Sequence, residues 1–289
     1  MELIKEIEEI DNFFKQQRNE FITVNGTPIR YIVVGSGTPI LLVHGIGGFL
    51  ETWGFNLIPL SKFFKVYVID LPGHGLSQMV ENCYTFTCGM DVIIKIVDAL
   101  GLKQTSLIGH SMGGIICLGA TLHLTNRISK LILVNAAGLS RYVPWYYRLA
   151  SLPALGNILT TIVTRKKSKS YTQRLFYNQN LLPKELVDWI SRNRQVSWTI
   201  QDLLKILQAN VSLRGLRTEI DVVNKLHLIN TPTLLIHGAQ DKVIPLKYVE
   251  EASNMLPNSE VIVFQGCGHL VHIEKAKEFN ESVIAFLKR

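Results

Sequence analysis

No apolar run in this 289-residue chain approaches the length needed to cross a bilayer, although the mean hydropathy of +0.19 is high for a soluble protein. A transmembrane helix is excluded by that, while contact with a membrane surface is not. Cysteine is scarce. Cys83, Cys88, Cys117 and Cys267 have no metal-ligand spacing and are too few in a chain this long for a disulfide framework. Cys83 and Cys88 could pair under oxidation, but free thiols are expected. There is no His-Glu-x-x-His motif. The segment Gly45-Ile46-Gly47-Gly48 lacks both the Lys-Ser/Thr of a phosphate-binding loop and the glycine spacing of a dinucleotide site. Neither a metal nor a cofactor is therefore expected. Positions 1–10 are acidic and lack the basic-then-apolar pattern of an export signal, so the expected setting is cytoplasmic, with a membrane-peripheral variant of it.

The 47% hydrophobic content is enough for a sizeable core. Leu3, Ile7, Ile10 and Phe14 recur at helical spacing among charged residues, which predicts an amphipathic helix within residues 1–20 that packs on the rest of the protein. Two β-like runs, 21–24 and 29–34, meet at Asn25-Gly26, a hairpin signal. From residue 39 the pattern changes to short, continuously apolar runs at 40–43, 66–69, 105–108, 131–134, 233–236 and 261–264. Helical stretches at 52–64, 90–100, 111–124, 246–256 and 274–288 alternate with them. Strands buried on both faces read this way, so the predicted fold class is α/β. The sheet has eight strands, mostly parallel after an antiparallel opening, with helices on both faces.

Residues 139–217 break the rhythm. They hold helical and Pro/Gly-punctuated segments with no strand-like run, and are read as a helical lid inserted after the sixth strand into a core formed by 21–138 and 218–289. Thirteen Lys/Arg against three acids give the lid a charge of +10, so of the chain's +7 the rest carries −3. Aromatic residues from Trp145, Tyr146 and Tyr147 to Tyr171, Trp189 and Trp198 are interleaved there. The stretch 149–164 has no charge, and Leu155, Ile158, Leu159, Ile162 and Val163 follow a loose helical period up to the cations Arg165, Lys166, Lys167 and Lys169. The first reading is a pocket wall with a solvated basic outer face. The second is a lid that makes peripheral contact with an anionic membrane surface. A nucleic-acid partner is set aside, because no groove-reading module is present. Oligomeric state is not legible.

The chemistry centres on Gly109-His110-Ser111-Met112-Gly113-Gly114. An apolar run ends there and a helix-compatible stretch follows at once, which puts Ser111 on a sharp strand-to-helix turn. Glycines at 109, 113 and 114 suit a turn where strand and helix come too close for side chains. A serine hydroxyl needs a base to take its proton and an acid to orient that base. The loops after the last two strands supply them as Asp241 and His269. Asp241 could instead close an Asx turn or cap a helix near Pro245. The competing acid position after residue 134 holds Asn135. His272 competes with His269, but falls near the start of the final helix. His44, His74 and His110 are read as hydrogen-bonded scaffold, and Asp70 as a turn residue.

The motifs His44-Gly45-Ile46-Gly47-Gly48, Asp70-Leu71-Pro72-Gly73-His74-Gly75-Leu76-Ser77, Gly109-His110-Ser111-Met112-Gly113-Gly114, His237-Gly238-Ala239-Gln240-Asp241 and Gly266-Cys267-Gly268-His269 stand in the order found in the α/β-hydrolase superfamily. From Phe21 to Arg289 the chain resembles that family, in its serine esterase and lipase-like branch, and is similar also to its C–C hydrolases and cofactor-free haloperoxidases. The resemblance implies a serine hydrolase with Ser111, Asp241 and His269 as catalytic residues and an oxyanion hole from the backbone N–H groups of Ile46 and Met112. It implies a hydrophobic or lipid-like carboxylic ester as substrate. C–C cleavage of ring-cleavage diketones is the alternative, although such enzymes usually carry Asn before the serine and an aromatic after the histidine, where this chain has His110 and Leu270. A ligand-binding protein with little turnover is a further alternative.

Overall fold

The alternation of side chains along β3 (Pro39–Val43) shows how the apolar runs are used. Leu41 and Val43 enter one core, while Ile40 and Leu42 enter another on the opposite face. Successive strand residues point to opposite faces, so a strand covered on both sides needs an unbroken apolar sequence. The computed structural model describes residues 2–156, 173–179, 182–195, 200–220 and 222–289. Ile158, Leu159, Ile162, Val163, Arg165, Lys166, Lys167, Lys169, Tyr171 and Trp198 lie outside them.

The chain opens with α1 (Glu2–Gln16), the hairpin β1 (Glu20–Val24) and β2 (Thr27–Val34), then β3. A short 3₁₀ turn and α2 (Gly54–Ser61) follow, then β4 (Lys65–Ile69), α3 (Phe86–Ala99), β5 (Thr105–His110), α4 (Met112–His123) and β6 (Ile128–Val134). In 139–217 the described elements are α5 (Trp145–Ala150), α6 (Lys184–Gln195), α7 (Ile200–Asn210), β7 (Val211–Ser212) and β8 (Gly215–Leu216). The chain then continues with β9 (Thr233–Gly238), α8 (Lys247–Ser253), β10 (Ser259–Phe264), α9 (Val271–Glu274) and α10 (Ala276–Lys288). Eight strands form one sheet in the order β1-β2-β4-β3-β5-β6-β9-β10. It is antiparallel as far as the β2–β4 pair and parallel from there on. The α/β fold class is therefore the one expected. The carboxyl ends of β3, β5, β6, β9 and β10 lie side by side, and reacting groups gather at such ends.

Two expectations are corrected. Residues 139–217 do contain strands, because β7 and β8 pair as a small antiparallel hairpin of two residues each. Strands that short carry no alternation to read. Cys83 and Cys88 are joined in a disulfide, whereas Cys117 and Cys267 are free and buried. A five-residue separation ending at the start of α3 brings the two sulfurs together. No described helix is long and apolar enough to cross a membrane.

As expected, α1 packs on the body. Ile7 and Ile10 join a core with Phe55 of α2 and Trp189 of α6, and Trp189 Nε1–H donates to Asp11 Oδ1. Asp70 is a turn residue with wider reach. Its carboxylate accepts from the backbone N–H groups of Leu50 (2.7 Å) and Leu76 (2.9 Å), which ties together the loops after β3 and β4. Arg30 donates to Asp70 at 3.1 Å and to Glu51 at 2.7 Å, with all three side chains largely or fully buried. Arg30→Met would leave both carboxylates without their cation, so urea denaturation should show a loss of about 3–5 kcal/mol. A loss under about 1 kcal/mol, the level of a solvent-exposed pair, would contradict this picture.

Candidate active site

Ser111 joins β5 to α4 with φ 52° and ψ −116°, a backbone conformation that costs a non-glycine residue on the order of 1–3 kcal/mol. Its surroundings hold it there. The Ser111 N–H donates to Val134 O (3.0 Å), and its carbonyl accepts from Gly114 and Ala137 N–H (2.9 Å each). A side chain at Gly113 would run into the carbonyl oxygens of Val43 and His44, and one at Gly109 into the backbone of Gly113. Only glycines let α4 start this close to β3 and β5.

The base comes from the loop after β10. His269 Nδ1–H donates to Asp241 Oδ2 (2.8 Å), which leaves Nε2 as the acceptor facing Ser111 Oγ at 3.0 Å. The His269 N–H is held by Leu175 O (2.7 Å), and its carbonyl accepts from His110 Nε2–H (2.9 Å). Asp241, after β9, serves two of the roles considered for it at once. Oδ1 closes an Asx-type turn by accepting from Val243 N–H (2.7 Å) and Ile244 N–H (3.1 Å), while Oδ2 accepts from His269. Burial pushes the Asp241 carboxyl up, but the facing His269, the hydrogen bond from it, His237 and the Asn135 amide outweigh this and hold the group below the ordinary Asp value. It stays ionised at neutral pH.

The buried His44 and His272 are held by other neighbours. His44 donates from Nδ1 to Gly45 O (2.7 Å) and accepts Leu71 N–H at Nε2 (3.0 Å), and burial lowers its pKa to about 4. It thereby fixes the turn that carries Ile46. His272 packs its ring against those of Trp53 and His110, each at 4.6 Å, and burial, with His269 nearby, takes its pKa to about 3. Of the two candidates His269 and His272, it is His269 that hydrogen-bonds both Ser111 and Asp241. Ser111 and His269 open into a cavity walled by Ile46, Tyr147, Leu175, Ile190, Leu270 and Ile273, of which Tyr147, Leu175 and Ile190 come from the 139–217 segment. Met112 starts α4, where the first N–H groups have no partner within the helix. Among the described residues no cluster of side chains could hold a metal.

A family model described as alpha/beta hydrolase fold matches residues 38–276. The chain belongs to the alpha/beta hydrolase fold family. It is 28% identical over 268 residues to the dihydrolipoyllysine-residue acetyltransferase component of the acetoin cleaving system of Pseudomonas putida, covering 92% of this chain and 68% of that one. It is 27% identical over 258 residues to a 2-hydroxy-6-oxo-2,4-heptadienoate hydrolase of Pseudomonas putida, covering 88% and 90%. An esterase structure from Exiguobacterium antarcticum superposes with a TM-score of 0.78 at 23% identity over 94% of this chain and all of that one, which is a likeness of fold.

Two residues complete this alpha/beta hydrolase site that sequence reasoning did not assign to it. Asn135, noted only as lacking a carboxylate, donates from Nδ2 to Asp241 Oδ2 (2.8 Å) and to Gly268 O (3.2 Å). It thus joins the acid to the histidine loop, and its place directly after β6 was the available signal. Glu274 accepts from Gly268 N–H (2.9 Å) and Tyr177 N–H (2.8 Å), which fastens the histidine loop to the 173–179 segment. Nothing in the sequence marks that contact.

His272 gives the site a measurable acid sensitivity. Its folded pKa lies below the ordinary value of about 6.5, so the unfolded chain binds the proton first as pH falls. The residue's contribution is whole above pH 6.5 and is lost on the way down to its folded pKa, at up to about 1.4 kcal/mol per pH unit. Between pH 7 and 5 the native chain should lose about 2 kcal/mol more stability than a His272→Phe variant, measured by urea denaturation at both pH values. Parallel losses would contradict a buried neutral His272.

Proposed function

We propose that this chain is a serine hydrolase that cleaves carboxylic esters of hydrophobic or lipid-like substrates through an acyl-enzyme. The observation that carries the reading is the unbroken chain from Ser111 Oγ through His269 to the ionised Asp241, opening into an apolar cavity. Ser111 Oγ attacks the ester carbonyl while His269 Nε2 takes its proton, and Asp241 stabilises the resulting imidazolium. In this reading the carbonyl oxygen becomes an oxyanion that the N–H groups of Ile46 and Met112 receive, the latter backed by the positive end of α4. Collapse returns the proton from His269 to the departing alcohol. Water then attacks the acyl-enzyme with His269 again as base, releasing the acid and restoring Ser111. Residues 139–217 act as the lid in this reading, since they supply Tyr147, Leu175 and Ile190 to the cavity wall.

A second reading, C–C bond hydrolysis of a ring-cleavage diketone, is favoured by the similarity to the heptadienoate hydrolase of Pseudomonas putida. The residues beside the nucleophile and base weigh against it. His110 is spent on the His269 carbonyl, and Leu270 contributes an aliphatic wall.

A panel of p-nitrophenyl esters from short to long acyl chains, run beside a ring-cleavage diketone, separates the two. Ester turnover that rises with acyl length and falls ~10⁴-fold or more in Ser111→Ala, with the fold retained, is the expected result. Turnover of the diketone alone would transfer the assignment to C–C cleavage. No turnover of either, with saturable binding, would make the protein a ligand-binding member of the fold.

A further inference from the structure

Large apolar side chains exposed singly are ordinary, but a contiguous group of them marks a contact surface. Such a group lies outside the cavity, where α5 meets the hairpin β7–β8. Trp145 is 65% exposed, Leu149 on the next turn 37%, Tyr146 36%, and Leu213 at the hairpin tip 54%. Trp145 and Leu149 are four residues apart and share a face of α5. Helix and hairpin are one unit. Arg148 Nη1–H donates to Leu213 O (3.3 Å), Leu216 N–H donates to Arg141 O (3.0 Å), and Gly215 leaves no space for a side chain against that same carbonyl.

The collar of this surface is cationic. Residues 139–156 and 211–218 contain Arg141, Arg148, Arg214 and Arg217 and no acid, the next along the chain being Glu219. Arg141, Arg148 and Arg217 hydrogen-bond to the carbonyls of Arg217, Leu213 and Gln208, and among the described residues no carboxylate forms an ion pair with any of the four. Arg214 and Arg217 are exposed, so their charge faces outward, while Arg141 and Arg148 are half-buried beside them.

We propose that α5 and the tip of the β7–β8 hairpin dock on an anionic lipid bilayer, with Trp145, Leu149 and Leu213 entering the interface and the arginines at headgroup level. Tryptophan with leucine above a collar of arginine is the combination such an interface accommodates. A second copy of this chain fits the surface poorly, since a two-fold contact would set the four arginines against four more. Tyr147, on the same helix as Trp145, lines the cavity over Ser111, so docking holds that wall of the cavity at the lipid. The docking itself is independent of whether the site hydrolyses esters.

The test is co-sedimentation of the full chain with phosphatidylcholine vesicles containing phosphatidylglycerol, beside pure phosphatidylcholine vesicles, at low and high salt. Binding to the anionic vesicles should weaken with salt, and Arg214→Glu and Trp145→Ser should each reduce affinity roughly tenfold or more. Both side chains are exposed, and unchanged melting curves would confirm that the variants fold. Tryptophan emission of a Trp198→Phe chain should shift to the blue on vesicle addition, and this component should vanish when Trp145→Phe is added, because the two remaining tryptophans, Trp53 and Trp189, are already buried. The proposal is overturned by absence of co-sedimentation at low salt, by binding indifferent to both substitutions, or by a lipid-free dimer that Trp145→Ser dissociates.

Discussion

The close approach of α4 to β3 and β5 is the constraint from which the site follows. With glycine at 109 and 113, the helix begins against the carbonyls of Val43 and His44, and Ser111 is left in the left-handed region at φ 52°. The strain is borne by hydrogen bonds to Val134, Gly114 and Ala137, which belong to the β6 edge and to α4 itself. The hydroxyl is thereby presented at the carboxyl end of the sheet, at the start of a helix whose dipole favours developing negative charge. A side chain at Gly113 would push α4 away and take Ser111 and Met112 with it.

The second half of the site is held by polar contacts between loops. His269 has its backbone fixed from both sides, through Leu175 and His110, and its ring fixed by Asp241. Asn135 and Glu274 tie the same loop to β6 and to residues 173–179. The 139–217 segment therefore shares a backbone hydrogen bond with the histidine loop as well as walling the cavity. Arg30, Asp70 and His44 play the matching part on the other side, where they fix the loop that carries Ile46.

Much of this was legible in the sequence, for a physical reason. Ile40, Leu42, Ile132 and Val134 face one core while Leu41, Val43, Leu131 and Leu133 face the other. Burial on both faces writes an apolar run into each central strand, and all eight strands were found in order. That Ser111, Asp241 and His269 would stand together was legible because the glycine pattern and the loops after strands restrict where such groups can stand. The β7–β8 hairpin is too short to leave a pattern, and α9, a single turn, was missed for the same reason, the last helical stretch being read only from 274. Asn135 and Glu274 act through contacts between residues far apart in sequence, which no local spacing encodes. The surface around Trp145 and Leu213 is likewise made by two segments separated by more than sixty residues, so only the fold joins them.

The central claim is that Ser111 is the group this fold prepares to attack a carbonyl. A fluorophosphonate, which reacts with an activated serine and leaves ordinary hydroxyls alone, tests it without knowledge of the substrate. Incubation of the native chain followed by peptide mapping by mass spectrometry should find one adduct, on the peptide containing Ser111. The adduct should be absent when His269 is replaced by Ala, since the hydroxyl then has no base. An unlabelled native protein, or a label on a different serine, would contradict the account.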